Sequence, residues 1–322
     1  MSLGFLTRKV LAAFATLGFV VCFNFFLFRV LNPDPVAKLF RGRNLSLEQR
    51  DELRREFGLD GSRLEQFVRY LEQTAQLNFG RSYISNEPVL VEIGARVWPT
   101  VALVGVATLL ATVFGVLIGI VAAWRRRTKT DYGWTGFTMA TYSMPDFWLG
   151  MLLLVTFAVS LGWFPVGGIT DPGSDATGLA KLFDQAQHMF LPALTLTLAY
   201  LGEYALIMRS SLLDTMREDY LTLARAKGLR DVAVRNRHAV PNALLPIVTL
   251  VALSFGFVLS GAIAVETIFS WPGLGLLTYE ALRGPDLPVL QGLFLVFSAA
   301  VIFFNLLADL TYAYLDPRVR VA

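Results

Sequence analysis

Residues 100–124 carry no charged side chain, and Arg125, Arg126, Arg127 and Lys129 follow at once. About 20 apolar residues at 1.5 Å rise are enough to cross a hydrocarbon core, and in lipid a helix satisfies its own backbone hydrogen bonds. The basic cluster marks the cytoplasmic side. Five further runs repeat this pattern near residues 10–28, 138–163, 190–207, 243–268 and 289–307. Arg8 and Lys9 precede the first run, Pro145 interrupts the third, Arg209 follows the fourth, and Arg318 and Arg320 follow the last. The first run exceeds a typical secretory h-region and lacks a small-x-small site, so it is expected to be an uncleaved anchor. The expected fold is therefore an all-α integral membrane protein. It has six transmembrane helices, both termini in the cytoplasm, and a multi-pass place in a cell membrane.

Composition agrees with this class. The 322 residues are 55% hydrophobic and 16% charged, whereas soluble domains carry about 25% charge. Mean hydropathy is +0.54. The basic residues lie beside apolar runs as topology determinants, which argues against nucleic-acid binding. The lone Cys22 excludes a disulfide framework within the chain.

Three units are expected: an N-terminal helix at 1–31, an extracytoplasmic helical insert at 32–97, and a five-helix core at 98–322. In the insert, Ser46 with Gln49 and Ser62 with Glu65 are spaced as capping boxes. The second would start a helix with Leu64, Phe67, Val68 and Leu71 on one face. Beyond the third span, residues 164–188 read as irregular chain, rich in glycine and proline. After the fifth, Pro272 and Gly273 make a turn into a short amphipathic helix, a candidate re-entrant element beside the pore.

The polar segment 218–241 cannot lie across a bilayer, where each central charge costs about 2.5–3.5 kcal/mol on insertion scales. It is expected to fold as two short helices, the first capped by Asp219 and stopped by Gly228, the second spanning 229–238 before Pro241. Tyr220, Leu221, Ala224 and Arg225 share a face of the first. Small residues beside Arg225, Lys227, Arg230, Arg235 and Arg237 suit docking of a cytoplasmic protein, with a basic helix lying on anionic lipid as the alternative.

No sequence signal for covalent chemistry accompanies these features. None of the five lysines follows a glycine, so the phosphate-cradling loop is missing. His188 and His238 stand fifty residues apart, so no metal-ligand set can be assembled. No nucleophile elbow is present. The chain is expected to be non-catalytic and to move a solute. Polar groups within the spans, Asn24, Asp146, Glu203, Glu266, Asn305 and Asp309, should face partner helices or a water-filled path. Glu266, Asp309 and Asp146 are the translocation-path candidates, Glu266 first among them.

The stretch 219–246, DYLTLARAKGLRDVAVRNRHAVPNALLP, resembles the coupling-helix (EAA) loop of permease subunits in binding-protein-dependent ABC importers. Its ARAKG core is similar to the dipeptide, oligopeptide and nickel branch. GLDGSRLEQFVRYL, YSMPDFWLGMLLL, LGWFPVGG, VETIFSWPGLG and DLTYAYLDPRVR extend the resemblance in order along nearly the whole chain, closest to B-type dipeptide permeases. At the Glu-Ala-Ala positions stand Thr222, Leu223 and Ala224, of which only Ala224 matches.

The resemblance implies a pore shared with a second homologous permease. It also implies two cytoplasmic ATPases that bind ATP and magnesium, and an extracytoplasmic protein that delivers peptide. The coupling loop, at 214–241, would use Asp219, Tyr220, Leu221, Ala224, Arg225, Ala226, Lys227 and Gly228. Nickel or haem remain alternative cargo. A secondary transporter or a membrane receptor scaffold are the alternative classes.

Overall fold

A computed structural model describes residues 3–30, 48, 55, 60–175, 177–258 and 262–315. The expected Ser46 cap and the basic tail lie outside these residues. Among the described residues the regular structure is helical, apart from one isolated antiparallel bridge between Arg81 and Pro88.

The first helix, α1, spans Leu3–Phe25 and continues as a π-helical turn over Phe26–Val30. In the insert, α2 spans Arg63–Ala75 and starts as its sequence demands: Glu65 N donates to Ser62 Oγ at 3.3 Å and Ser62 N to Glu65 Oε2 at 2.7 Å. The buried face differs from the expected one. Gln66 and Tyr70 are buried, and Phe67 meets Phe25 with ring centroids 5.0 Å apart, while Leu64, Val68 and Leu71 are exposed. Docking onto α1 through aromatic rings selects this orientation, one step around the helix from the aliphatic stripe.

Helix α3 spans Val89–Trp124, eleven residues ahead of the expected start at 100. Its added turns pack on protein: Val89 and Ile93 are buried with Leu274, Leu277 and Leu293. Arg127 then adopts a left-handed φ of +61°, and α4 runs over Lys129–Ser143. Pro145 interrupts the third run as expected, and the break bends the chain by 101° into α5, Asp146–Leu153, extended as a π-helix to Ser160.

Helix α6 spans Gly178–Thr215, so it absorbs part of the stretch expected to be irregular. It is the central pillar. Gly115 and Gly119 of α3 press against its backbone at Leu201 and Ala205, and its own Gly202 meets Thr138 of α4. Small residues let helix backbones approach where lipid supplies no hydrophobic force between helices.

Four short helices follow the pillar: α7 (Asp219–Ala226), α8 (Asp231–Val234), α9 (Val240–Ala243) and the longer α10 (Leu245–Val258). The fifth expected span is thus divided between α10 and α11, Ile263–Ile268. The amphipathic helix expected after Pro272 and Gly273 is α12, Leu274–Arg283, and α13 spans Leu287–Leu315. Among the described residues, four helices are long and apolar enough to cross a membrane, five if α4 and α5 count as one bent span.

Candidate coupling surface and translocation elements

Helix α7 is clamped on one side. Leu221 and Ala224 are buried against Met208 and Leu212 of α6 and against Val234, Ala239 and Ala243. The opposite side is open, with Leu223 57% exposed, and beyond the helix Leu229 is 41% and Val232 60% exposed. Tyr220 and Arg225, expected beside Leu221 and Ala224, lie at the margin instead. Tyr220 Oη donates to His238 O at 3.3 Å and accepts from Asn242 Nδ2 at 2.9 Å. Arg225 Nε stands 3.5 Å from Asp231 Oδ1, an exposed pair of small energetic weight. Ala226 and Lys227 face solvent.

The ends of α7 divide the sequence expectations. Glu218 is the N-cap residue and makes no side-chain cap bond, so Asp219 is the first helical residue rather than the cap. A carboxylate there still complements the helix dipole, as Arg225 does in the last turn. Gly228 is the stop. Its φ is +78°, its N donates to Arg225 O at 2.9 Å, and Leu229 N donates to Ala224 O at 3.4 Å. These two bonds form a Schellman motif. The second helix does not end before Pro241. A π-helical turn over Arg235–Ala239 connects α8 to α9, and Pro241 sits in the first turn of α9. Helix runs unbroken over 231–243, so Pro241 removes one backbone hydrogen bond from inside it, next to the π-helical turn that already interrupts the regular ladder.

A largely buried ion pair joins α6 to the first turn of α4. Arg209 Nε and Nη2 donate to Asp131 Oδ1 and Oδ2 at 2.8 and 3.0 Å, Arg127 N adds a bond at 2.9 Å, and Thr135 Oγ1 one at 3.2 Å. Asp131 is 3% exposed. In the sequence Arg209 was only a topology marker, and nothing local signals that a carboxylate 78 residues away receives it.

Glu266 is enclosed by protein, with none of its surface accessible. Thr100 Oγ1 donates to its Oε1 at 2.9 Å and Leu276 N to its Oε2 at 3.1 Å, while Leu274 N donates to Thr100 Oγ1 at 2.7 Å. Trp271 Nε1 reaches Pro99 O at 2.9 Å. The carboxylate thus latches α12 onto α3 and α11, which is helix-to-helix bonding; within this chain it presents no surface to a path. Replacing it with alanine should orphan two buried donors, at about 1–3 kcal/mol each. Glu266→Ala should therefore melt well below wild type in detergent, with Glu266→Gln intermediate. Equal melting of all three forms would exclude the latch.

The other path candidates lie apart from Glu266. Asp146 is the first residue of α5, and its Oδ1 accepts from Phe147 N at 2.7 Å. Asp309 pairs with Lys9 Nζ at 2.7 Å and joins α13 to α1. Glu203 lines a cavity of about 190 Å³ with Thr108, Tyr200, Tyr204 and Ser254. Asn24 donates to Gln291 O at 3.0 Å.

Residues 115–321 match the family model described as "Binding-protein-dependent transport system inner membrane component", and residues 2–104 match the model of its N-terminal part. This chain belongs to that family. The permease is 37% identical to the glutathione transport system permease protein GsiC of Escherichia coli K12 over 319 residues, 99% of each chain. It is also 37% identical over 310 residues to a putative peptide permease protein of Brucella ovis, covering 95% of this chain and 96% of that one. Its fold is similar to a chain of the MetNI methionine ABC transporter, solved in inward-facing conformations. The TM-score is 0.58 at 16% identity, over 71% of the permease and 99% of that chain. The permease is therefore an inner-membrane component of a transport system, as its apolar helices require.

Proposed function

We propose that the permease forms half of the translocation pore of an ATP-driven importer of peptides. A second homologous permease supplies the other half, and six spans leave both termini in the cytoplasm. Two ATPases that bind ATP and magnesium dock on α7 and its flanks, and an extracytoplasmic binding protein delivers the solute. The observation that carries the cargo class is end-to-end colinearity at 37% identity with permeases named for glutathione and for peptides. The half-exposed, half-clamped α7 supports the coupling role. A helix gripped by α6 on one face can transmit a rigid-body movement received on the other, and the ATPases would drive it by binding one arrangement better than the other.

Reconstituted vesicles holding both permeases, both ATPases and the binding protein test the reading. ATP-dependent uptake of labelled glutathione or dipeptide, displaced by unlabelled peptide but not by nickel or haem, is the expected result. Uptake blocked by nickel or haem and indifferent to peptide would overturn the cargo assignment. An active homo-oligomer of this chain alone would overturn the division of labour.

A further inference from the structure

The π-helical end of α1, remote from Lys9, borders a cavity of about 580 Å³ walled by α2, the segment around the bridge between Arg81 and Pro88, and the start of α13. Four arginines line it, Arg29, Arg55, Arg69 and Arg81, and no carboxylate does so among the described residues. Arg69 Nη1 donates to Asp60 Oδ1 at 2.9 Å, outside the lining, and Arg81 Nη1 donates to Asn86 O at 2.7 Å. A guanidinium carries five N–H donors, so both keep donors to spare.

A second observation points into the same space. Gln291 of α13 lines the cavity and is only 8% exposed, yet its Nε2 has no hydrogen-bond partner among the described residues. Its main-chain oxygen accepts from Asn24 Nδ2 at 3.0 Å, which holds this turn of α13 against α1. A buried N–H left unpaired is destabilising unless something accepts from it. Arginine charge and an orphaned donor together call for an oxygen acceptor that carries negative charge. The surroundings say what carries that oxygen. Phe19, Phe23 and Phe26 are exposed along α1 at i, i+4 and i+7, and the stripe runs on to Val30, beside Arg29. The span Thr7–Val30 is long and apolar enough to cross a membrane, so hydrocarbon covers the stripe and a lipid headgroup stands at its end.

We propose that this cavity binds the phosphate of an anionic phospholipid, whose acyl chains lie along the aromatic stripe of α1. Arginine suits the task, because its planar fork meets two phosphate oxygens at once. Basic pockets between membrane helices recognise anionic headgroups by the same chemistry. Gln291 Nε2 supplies a neutral donor to the same group. The bound lipid bridges α1, α2 and α13, and so ties the insert to the helices beneath it. The site is separate from the coupling surface and serves whichever solute is carried.

The test uses the full chain, stripped of lipid in detergent, with phosphatidylglycerol, phosphatidylcholine and inorganic phosphate as separate probes. Native mass spectrometry should find one phosphatidylglycerol retained per chain, and that lipid should raise the melting temperature. Phosphatidylcholine, whose choline meets the arginines with like charge, should do neither, and inorganic phosphate at the same concentration should displace no lipid. Arg55→Gln combined with Arg81→Gln alters two exposed side chains, so the lipid-free double variant should melt like wild type, yet bind phosphatidylglycerol roughly tenfold or more weakly. Gln291→Leu removes the orphaned donor, so its lipid-free melting should not fall although its affinity for phosphatidylglycerol does. Equal retention of the two phospholipids would overturn the proposal, because hydrocarbon alone would then hold the lipid. Displacement by inorganic phosphate would overturn it in favour of a free anion, and wild-type binding by both variants would place the lipid elsewhere.

Discussion

Gly119→Leu should prevent the α3 and α6 pair from forming, whereas Gly105→Leu on the same helix should be tolerated. A Cβ at Gly119 would lie 2.6 Å from Ala205 O and 2.7 Å from Met208 Cβ; at Gly105 it meets no atom within 4 Å. Overpacking against side chains costs about 1–3 kcal/mol, because side chains can change rotamer. Here one obstacle is backbone, so the helices themselves must separate. They cannot do so cheaply. One turn back, Gly115 makes the same contact with Leu201 O and Tyr204 Cβ, and Gly202 on α6 is already pressed against Thr138 of α4. Separation at Gly119 also displaces Arg209, the residue beside that contact, from Asp131. The expected result is a loss of most monodisperse, detergent-stable chain for Gly119→Leu and near-wild-type yield and melting for Gly105→Leu. Indistinguishable melting of the two would show that α3 and α6 do not pack this closely.

The apolar runs were legible because lipid leaves the backbone almost no choice. Where helices end was less so, because outside the bilayer an end depends on packing. Val89 and Ile93 extend α3 because Leu274 and Leu293 cover them, and those partners lie almost two hundred residues away. Local signals fared unevenly. The Ser62 and Glu65 box and the Gly228 stop involve atoms within a few residues, and both formed as read. The N-terminus of α7 was misread by one residue, since Glu218 and Asp219 are both acidic and only backbone geometry separates cap from first turn. Asp131 and Glu266 were beyond reach for another reason. A carboxylate between apolar segments looks the same whether it lines a path or receives an arginine, and its partners are set by tertiary structure. The spacing of Gly115 and Gly119 was present in the chain as a small-xxx-small pattern. It went unread because α3 is apolar all round and nothing in its periodicity marks a preferred face.

Gly228→Asp should uncouple transport while leaving the permease folded. The φ of +78° penalises any side chain, but aspartate tolerates the left-handed region better than most residues, so the backbone penalty stays near 1 kcal/mol. Among the described residues nothing lies within 4 Å of the added Cβ. In the proposed coupling role an ATPase docks on this open side, and a carboxylate placed there would be buried by docking without a counter-ion. Gly228→Ala carries the backbone strain without the charge and separates the two effects. In reconstituted complexes, Gly228→Asp should reduce ATP-driven uptake more than tenfold while ATP hydrolysis persists, and Gly228→Ala should retain most uptake. Leu223→Asp places its charge on the exposed face of α7 and should act by weakening assembly, with less ATPase copurifying. Full uptake in Gly228→Asp would mean that the ATPases grip the permease elsewhere. Equal loss in Gly228→Ala would shift the cause to the turn, making the left-handed backbone, rather than a partner surface, the element on which coupling depends.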